Sequence, residues 1–152
     1  MEFLKTWISN PSFRKIGFED VKYAMKNPND HILINTLSLN FQDNIIQGTL
    51  PAIMEESIIN KLIEDYETGR IKLVVYGKND VDESAEKKAK QLLSLGFNEV
   101  YLYCGGMFEW LLLQEIYGYS EFPTTFVAGK GKSVDLLKYS PEKQFQILRL
   151  GY

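Results

Sequence analysis

Leu73-Val74-Val75-Tyr76-Gly77-Lys78-Asn79-Asp80-Val81-Asp82-Glu83-Ser84 is the stretch on which the fold turns. Its first four residues are apolar, β-branched or aromatic, and glycines stand at positions 69 and 77 on either side. A run that short, bounded by breakers, predicts a buried strand rather than a helix. An acid-rich loop follows, and from about residue 82 to 95 the pattern becomes helical. Ala85, Ala89, Leu92 and Leu93 then share an inward face, while Lys87, Lys88 and Lys90 meet water. Gly96 suits the position just past the helix end.

Working outward, Ile32-Leu33-Ile34 and Val100-Tyr101-Leu102-Tyr103 read as further buried strands. The first follows the turn Asn27-Pro28-Asn29-Asp30, and the second runs into Gly105-Gly106. Helical patterns lie between and beyond them. Residues 18–25 place Val21, Ala24 and Met25 on one face; residues 55–66 carry the stripe Ile58, Ile59, Leu62, Ile63 and Tyr66. Residues 107–117 are apolar on nearly all sides and stop at Gly118. Strand and helix in alternation predict an α/β domain with a largely parallel sheet. Ligands of such sheets lie at the carboxyl ends of the strands, here residues 35–42, 77–84 and 104–107.

The 152 residues suit one domain, with residues 119–152, which hold Pro123, Gly129, Gly131 and Pro141, expected as a tail wrapping the domain formed by residues 1–118. Hydrophobic residues at 45% and charged residues at 24% exclude a disordered chain. With 17 basic against 20 acidic side chains there is no broad positive field, so nucleic acid is not an expected partner. A single cysteine forms no internal disulfide, and one histidine beside it cannot build a structural zinc site. No metal and no cofactor is expected. The first eight residues carry Glu2 and Lys5 and lack a secretory pattern, and no apolar run reaches the length of a membrane span. A cytoplasmic, unanchored protein is the expectation.

In order and spacing these fragments resemble the rhodanese homology domain over roughly residues 13–118. That family has a strand ending Ile-Asp-Val-Arg, a loop Gly-His-Ile-Pro-Gly-Ala, and a strand leading into a cysteine-headed active-site loop. A last strand runs into Gly-Gly and a helix carrying Trp. The corresponding places hold Leu33-Ile34-Asn35-Thr36, then Asn44-Ile45-Ile46-Gln47-Gly48-Thr49-Leu50-Pro51, then Val74-Val75-Tyr76-Gly77 with Ser84 opening a helix. Val100 to Gly106, with Trp110, completes the set. The resemblance implies a three-layer fold: a central, mostly parallel sheet of about five strands with helices on both faces.

The departures bear on function. Gly77 stands where a sulfurtransferase keeps its nucleophile, and no persulfide forms on glycine. A phosphatase or arsenate reductase on this fold needs a Cys-x5-Arg loop, and both residues are missing. Asp80, Asp82 and Glu83 are expected to cap the helix that follows, filling the N–H groups that would otherwise bind an anion. Asn35 replaces an acid, Ile45 and Gln47 replace His and Pro, and Gly48 is retained for its permissive backbone. The segment Gly77, Lys78, Asn79, Asp80, Val81, Asp82, Glu83 and Ser84 therefore reads as a vestigial active-site loop. The expected protein is a catalytically inactive rhodanese-like binding or structural module.

Cys104 carries the alternative, a thiol-dependent or sulfurtransferase-like activity, although no adjacent Lys, Arg or His is present to lower its pKa. A non-catalytic small-molecule binder in the vacated pocket is a further alternative. His31 is expected at a sheet edge, away from the site. Phe108, Trp110, Leu113 and Tyr117 crowd the last helix, which offers a surface for a protein partner or a homodimer unless the tail, through Phe122, Phe126 and Leu136-Leu137, covers it.

Overall fold

The computed structural model describes residues 12–125. Five strands form one sheet: β1 (Arg14–Ile16), β2 (His31–Asn35), β3 (Thr49–Leu50), β4 (Lys72–Tyr76) and β5 (Glu99–Tyr103). Their order is β1-β5-β4-β2-β3, and every neighbouring pair is parallel. Four helices connect or follow them: α1 (Phe18–Lys26), α2 (Glu55–Glu64), α3 (Ser84–Ser94) and α4 (Gly106–Tyr117). Short 3-10 turns occupy Leu39–Phe41 and Ala52–Met54. The expected α/β architecture is the observed one.

Alternation along the strands divides the core. On β4, Val74 and Tyr76 point into one cluster with Val21 and Ala24 of α1 and Met107, Trp110 and Leu111 of α4. Leu73 and Val75 point the other way, against Ile59 of α2 and Ala85, Ala89 and Leu92 of α3. Successive strand residues face opposite sides, so a strand covered on both faces must be apolar throughout, as β4 is.

Two strands carry no apolar run. Arg14-Lys15-Ile16 is an edge strand with only its last side chain turned to the core, and Thr49-Leu50 has two residues. The helix after β4 begins at Ser84 rather than 82, and α2 ends at Glu64 because Tyr66 adopts a left-handed backbone, φ 57°. His31 opens β2, which lies between β4 and β3, so it sits at the amino end of an interior strand and not at a sheet edge. Its Nδ1 lies 2.9 Å from the carbonyl of Asn27.

Beyond α4, residues up to 125 pack back on the domain. Phe122 is buried against Trp110, Phe18 and Tyr117. Ile46 and Thr124 form an antiparallel bridge, and Trp110 Nε1 donates to the Pro123 carbonyl at 3.1 Å. Phe126 and Leu136-Leu137, expected to cover α4, lie outside the described residues. No helix among the described residues is long and apolar enough to cross a membrane.

Candidate functional site

Because all five strands are parallel, the segments after β2, β4 and β5 emerge at one end of the sheet. The segment after β4 is the centre of that end. Gly77 is buried, and its neighbours leave little room for a side chain. A Cβ there would stand 3.0 Å from Asp82 Oδ2, 3.0 Å from Thr36 Oγ1 and 3.4 Å from the Ala85 Cβ.

Asp82 folds its carboxylate back into the loop. Oδ2 accepts the Lys78 N–H at 3.2 Å, and Oδ1 accepts the Ser84 N–H at 3.0 Å. Burial disfavours its charge, but hydrogen bonds from the Ser84 N–H and hydroxyl and the Lys78 N–H, with the Lys78 ammonium, outweigh that and hold its pKa below the ordinary value. An internal anion thus takes the first N–H of α3 and one from the loop that precedes it. The expectation that three acids share this work is corrected: Asp80 and Glu83 are exposed, and Glu83 makes no side-chain cap although it stands at the cap position. Geometry selects Asp82, whose short side chain reaches back across the turn closed by Asp82 N–H to the Asn79 carbonyl at 3.3 Å.

The start of α4 is occupied as well. Met107 N–H donates to the Gly77 carbonyl at 3.0 Å, and Phe108 N–H donates to the Lys78 carbonyl at 2.8 Å. This contact requires Gly106: its φ is +63°, and a Cβ would meet the Gly77 carbonyl oxygen at 2.6 Å. Of the orphan donors at the two helix starts, the Ser84, Met107 and Phe108 N–H groups therefore have partners from the loop itself.

Supporting residues come from β2. Asn35 is buried, and its Oδ1 accepts the Leu37 N–H at 3.1 Å and Gln42 Nε2 at 2.7 Å, while its Nδ2 donates to Gln42 Oε1 at 3.2 Å. The uncharged amide thus fixes its own loop. Thr36 and Ser84 share a hydroxyl hydrogen bond of 2.7 Å that ties β2 to α3. Ile45 and Ile46 are core residues. Gly48 has φ +89° with open space around it, so its backbone conformation accounts for glycine there. The wholly buried Tyr76 hydroxyl accepts the Ile46 N–H at 3.1 Å and shares a 2.7 Å bond with Thr49; burial outweighs both and pushes its pKa up.

Cys104 follows β5 and is half-buried against the cluster containing Ile34, Ile59 and Leu102. Nothing brings His31 to it, since His31 lies at the opposite, amino end of the strands. Of the crowded α4 residues, Trp110 is fully buried and Leu113 packs on the core. Both are corrected from surface to interior. Phe108 and Tyr117 are exposed, joined by Leu112 and by Ile116 at 70%. No group of three potential metal ligands occurs among the described residues. The Thr36–Ser84 pair escaped sequence reasoning because its members are 48 positions apart.

Fold and site together define an α/β protein whose parallel strands end in a loop closed by its own carboxylate. No protein-family model and no curated protein matches the sequence. Solved structures do match in fold. Ygr203w, a yeast protein tyrosine phosphatase of the rhodanese family, superposes with a TM-score of 0.55 at 14% identity, covering 84% of this chain and 98% of that one. The As-Sb reductase from Leishmania major gives 0.52 at 17% identity, covering 92% and 97%. The Alr3790 protein from Anabaena sp. gives 0.52 at 20% identity, covering 74% and 93%. The chain has the rhodanese-like fold, with glycine at the position after β4 and its single cysteine elsewhere.

Proposed function

We propose that this chain is a catalytically inactive rhodanese-like protein that acts as a binding or structural module. The observation that carries the reading is the Asp82 carboxylate held by the Lys78 and Ser84 N–H groups, 3.0 Å from where a side chain at residue 77 would begin. A sulfur donor, phosphate or arsenate needs those donors and a thiolate. Here the donors are taken, the thiolate has no side chain to sit on, and residue 83, where a Cys-x5-Arg loop starting at 77 would put arginine, is Glu. The reductase and phosphatase activities of the structural neighbours are therefore not assigned to this chain. The binding role is supported by Phe108, Leu112 and Ile116, which lie four residues apart and so share one outward stripe of α4. A cytoplasmic setting belongs to the same reading, supported by the single cysteine.

A thiosulfate:cyanide sulfurtransferase assay tests it. The wild-type chain and Gly77→Cys are both expected to give no turnover above background, because a thiol placed beside Asp82 would have its pKa raised and its donor repelled. Robust turnover by Gly77→Cys would overturn the closed-loop argument. Alkylation of native Cys104 is expected to be much slower than in the unfolded chain; fast alkylation with an activity lost in Cys104→Ala would restore the thiol-enzyme reading.

A further inference from the structure

α4 covers the core with one face and turns the other to solvent, and the outer face carries charge of one sign. Phe108, Leu112 and Ile116 follow one another along it over about two turns, all three exposed. Glu109 and Glu115 stand three residues before and three after Leu112, so at 3.6 residues per turn they fall about 60° to either side of it. The apolar stripe thus has an acidic margin on each side. We infer that this face docks an amphipathic helix of a partner protein whose own apolar stripe is flanked by Lys or Arg. The inference rests on the proposed role as a binding module and names the chemistry of the partner for the α4 stripe.

The acidic margins are uncompensated. From residue 104 to residue 125 the chain holds Glu109, Glu115 and Glu121 and no Lys, Arg or His. Glu121 is taken by Lys22 of α1 at 2.9 Å, and Lys26 acts on it as well. Lys78, in the loop bonded to the first turn of α4, acts on Asp82. Glu109 and Glu115 form no ion pair among the described residues. Glu109 accepts the Tyr103 hydroxyl at 2.9 Å, a neutral donor that leaves its charge in place, and Glu19 of α1 adds a further carboxylate near that hydroxyl. Charge complementarity therefore calls for a basic partner.

Shape selects a helix. The outer face of a helix is convex, whereas small-molecule sites are concave. The backbone N–H and C=O groups of α4 are spent inside the helix, so an extended peptide finds no ladder to join. A second helix arrives with its backbone already satisfied and packs its side-chain ridges between those of α4. The same charges disfavour a second copy of this chain. In an antiparallel pair centred on Leu112 each Glu109 would meet the other copy's Glu115, and in a parallel pair each would meet its own like. An anionic bilayer would face the same two carboxylates.

The test sets the full-length chain against three synthetic helix-forming peptides: a Leu stripe flanked by Lys, the same stripe flanked by Glu, and the Lys peptide with its order scrambled. By fluorescence anisotropy the Lys-flanked helix is expected to bind at least about tenfold more tightly than either of the others, and more weakly as salt is raised. Its amide shifts should fall on residues 108–116. Ile116→Asp should abolish binding, and Glu115→Lys should cut the preference for Lys over Glu flanks at least about threefold; both positions are exposed, so the fold is retained. Equal binding of the three peptides, or shifts confined elsewhere, would overturn the inference. So would a dimer that Ile116→Asp dissolves, phosphatidylserine-vesicle binding that it removes, or a large loss of thermal stability in it, which give the face to a second copy, a membrane or another segment of this chain. Selective binding accompanied by sulfurtransferase turnover would sink the inactive reading alone, and neither binding nor turnover would sink the helical partner alone.

Discussion

Two glycines illustrate how differently one residue type is constrained. Gly48 needs only a left-handed backbone, with nothing within 4 Å of an added Cβ. Gly48→Ala is expected to lower stability by about 1–2 kcal/mol, the strain of an L-residue at positive φ. Gly106→Ala adds a collision with the Gly77 carbonyl at 2.6 Å and endangers the two N–H bonds from α4 to that loop. Its expected loss is about 3 kcal/mol or more, from strain and overpacking together. Urea denaturation of the two variants checks the ranking, and equal losses would show that the loop–helix contact is slack. Asp82 makes a different kind of prediction. Its folded pKa lies below the ordinary value, so the stabilisation it supplies is fully present above that value and is lost as pH falls through the folded pKa. Asp82→Asn should therefore be less stable than wild type at pH 7, and the gap should narrow towards pH 3. A gap that stays constant would mean that the carboxylate charge contributes nothing.

At the scale of elements, α4 separates its inner and outer faces by energy. Trp110 is wholly buried, stacked edge-on to Phe122 at 5.0 Å and bonded to the Pro123 carbonyl, so Trp110→Ala should cost about 3–5 kcal/mol. Phe108→Ala and Ile116→Ala, on the exposed stripe, should change stability by about 0.5 kcal/mol or less. Thermal melts of the three distinguish core from surface, and a large loss at Ile116 would mean that the stripe is already covered in the free protein. The division was only half legible in the sequence. A helix apolar on nearly every side declares its burial but not which side chains face outward, and Trp110 differs from Ile116 through contacts distant in sequence, with the sheet and α1 and with residues 118–125. The elements α1 to α4 and strands β2, β4 and β5 were legible because a buried stripe or run leaves a period in the sequence. β1 and β3 leave none: Arg14-Lys15-Ile16 is charged at two of three positions, and Thr49-Leu50 is too short to have a period. They are strands because neighbours hold them in register, Arg14 opposite Tyr101 and Leu33 opposite Thr49. The missing nucleophile at residue 77 was readable as well. Which acid fills its place was not, because Asp80, Asp82 and Glu83 are equivalent on paper and only the turn aims one of them.

For the whole molecule, the governing fact is that a single layer of backbone serves two cores. Leu73 and Val75 of β4 belong to the side covered by α2 and α3, Val74 and Tyr76 to the side covered by α1 and α4. Loss of packing on either face frees the same strand, and a strand detached on one side cannot stay ordered on the other. The two cores should therefore unfold as one unit. Leu92→Ala removes a buried side chain from one face, and Trp110→Ala removes one from the other. Each is expected to cost about 2–5 kcal/mol, against a total of about 5–15 kcal/mol for an ordinary domain. Each variant should show one transition, coincident by far-UV circular dichroism and by hydrogen exchange of β4 and β5 amides. The slope of free energy against denaturant should match wild type, since the same surface becomes exposed. Combining the two should leave little folded protein at 25 °C. Separate transitions for the two faces would break this argument, because they would require β4 to hold one core while releasing the other.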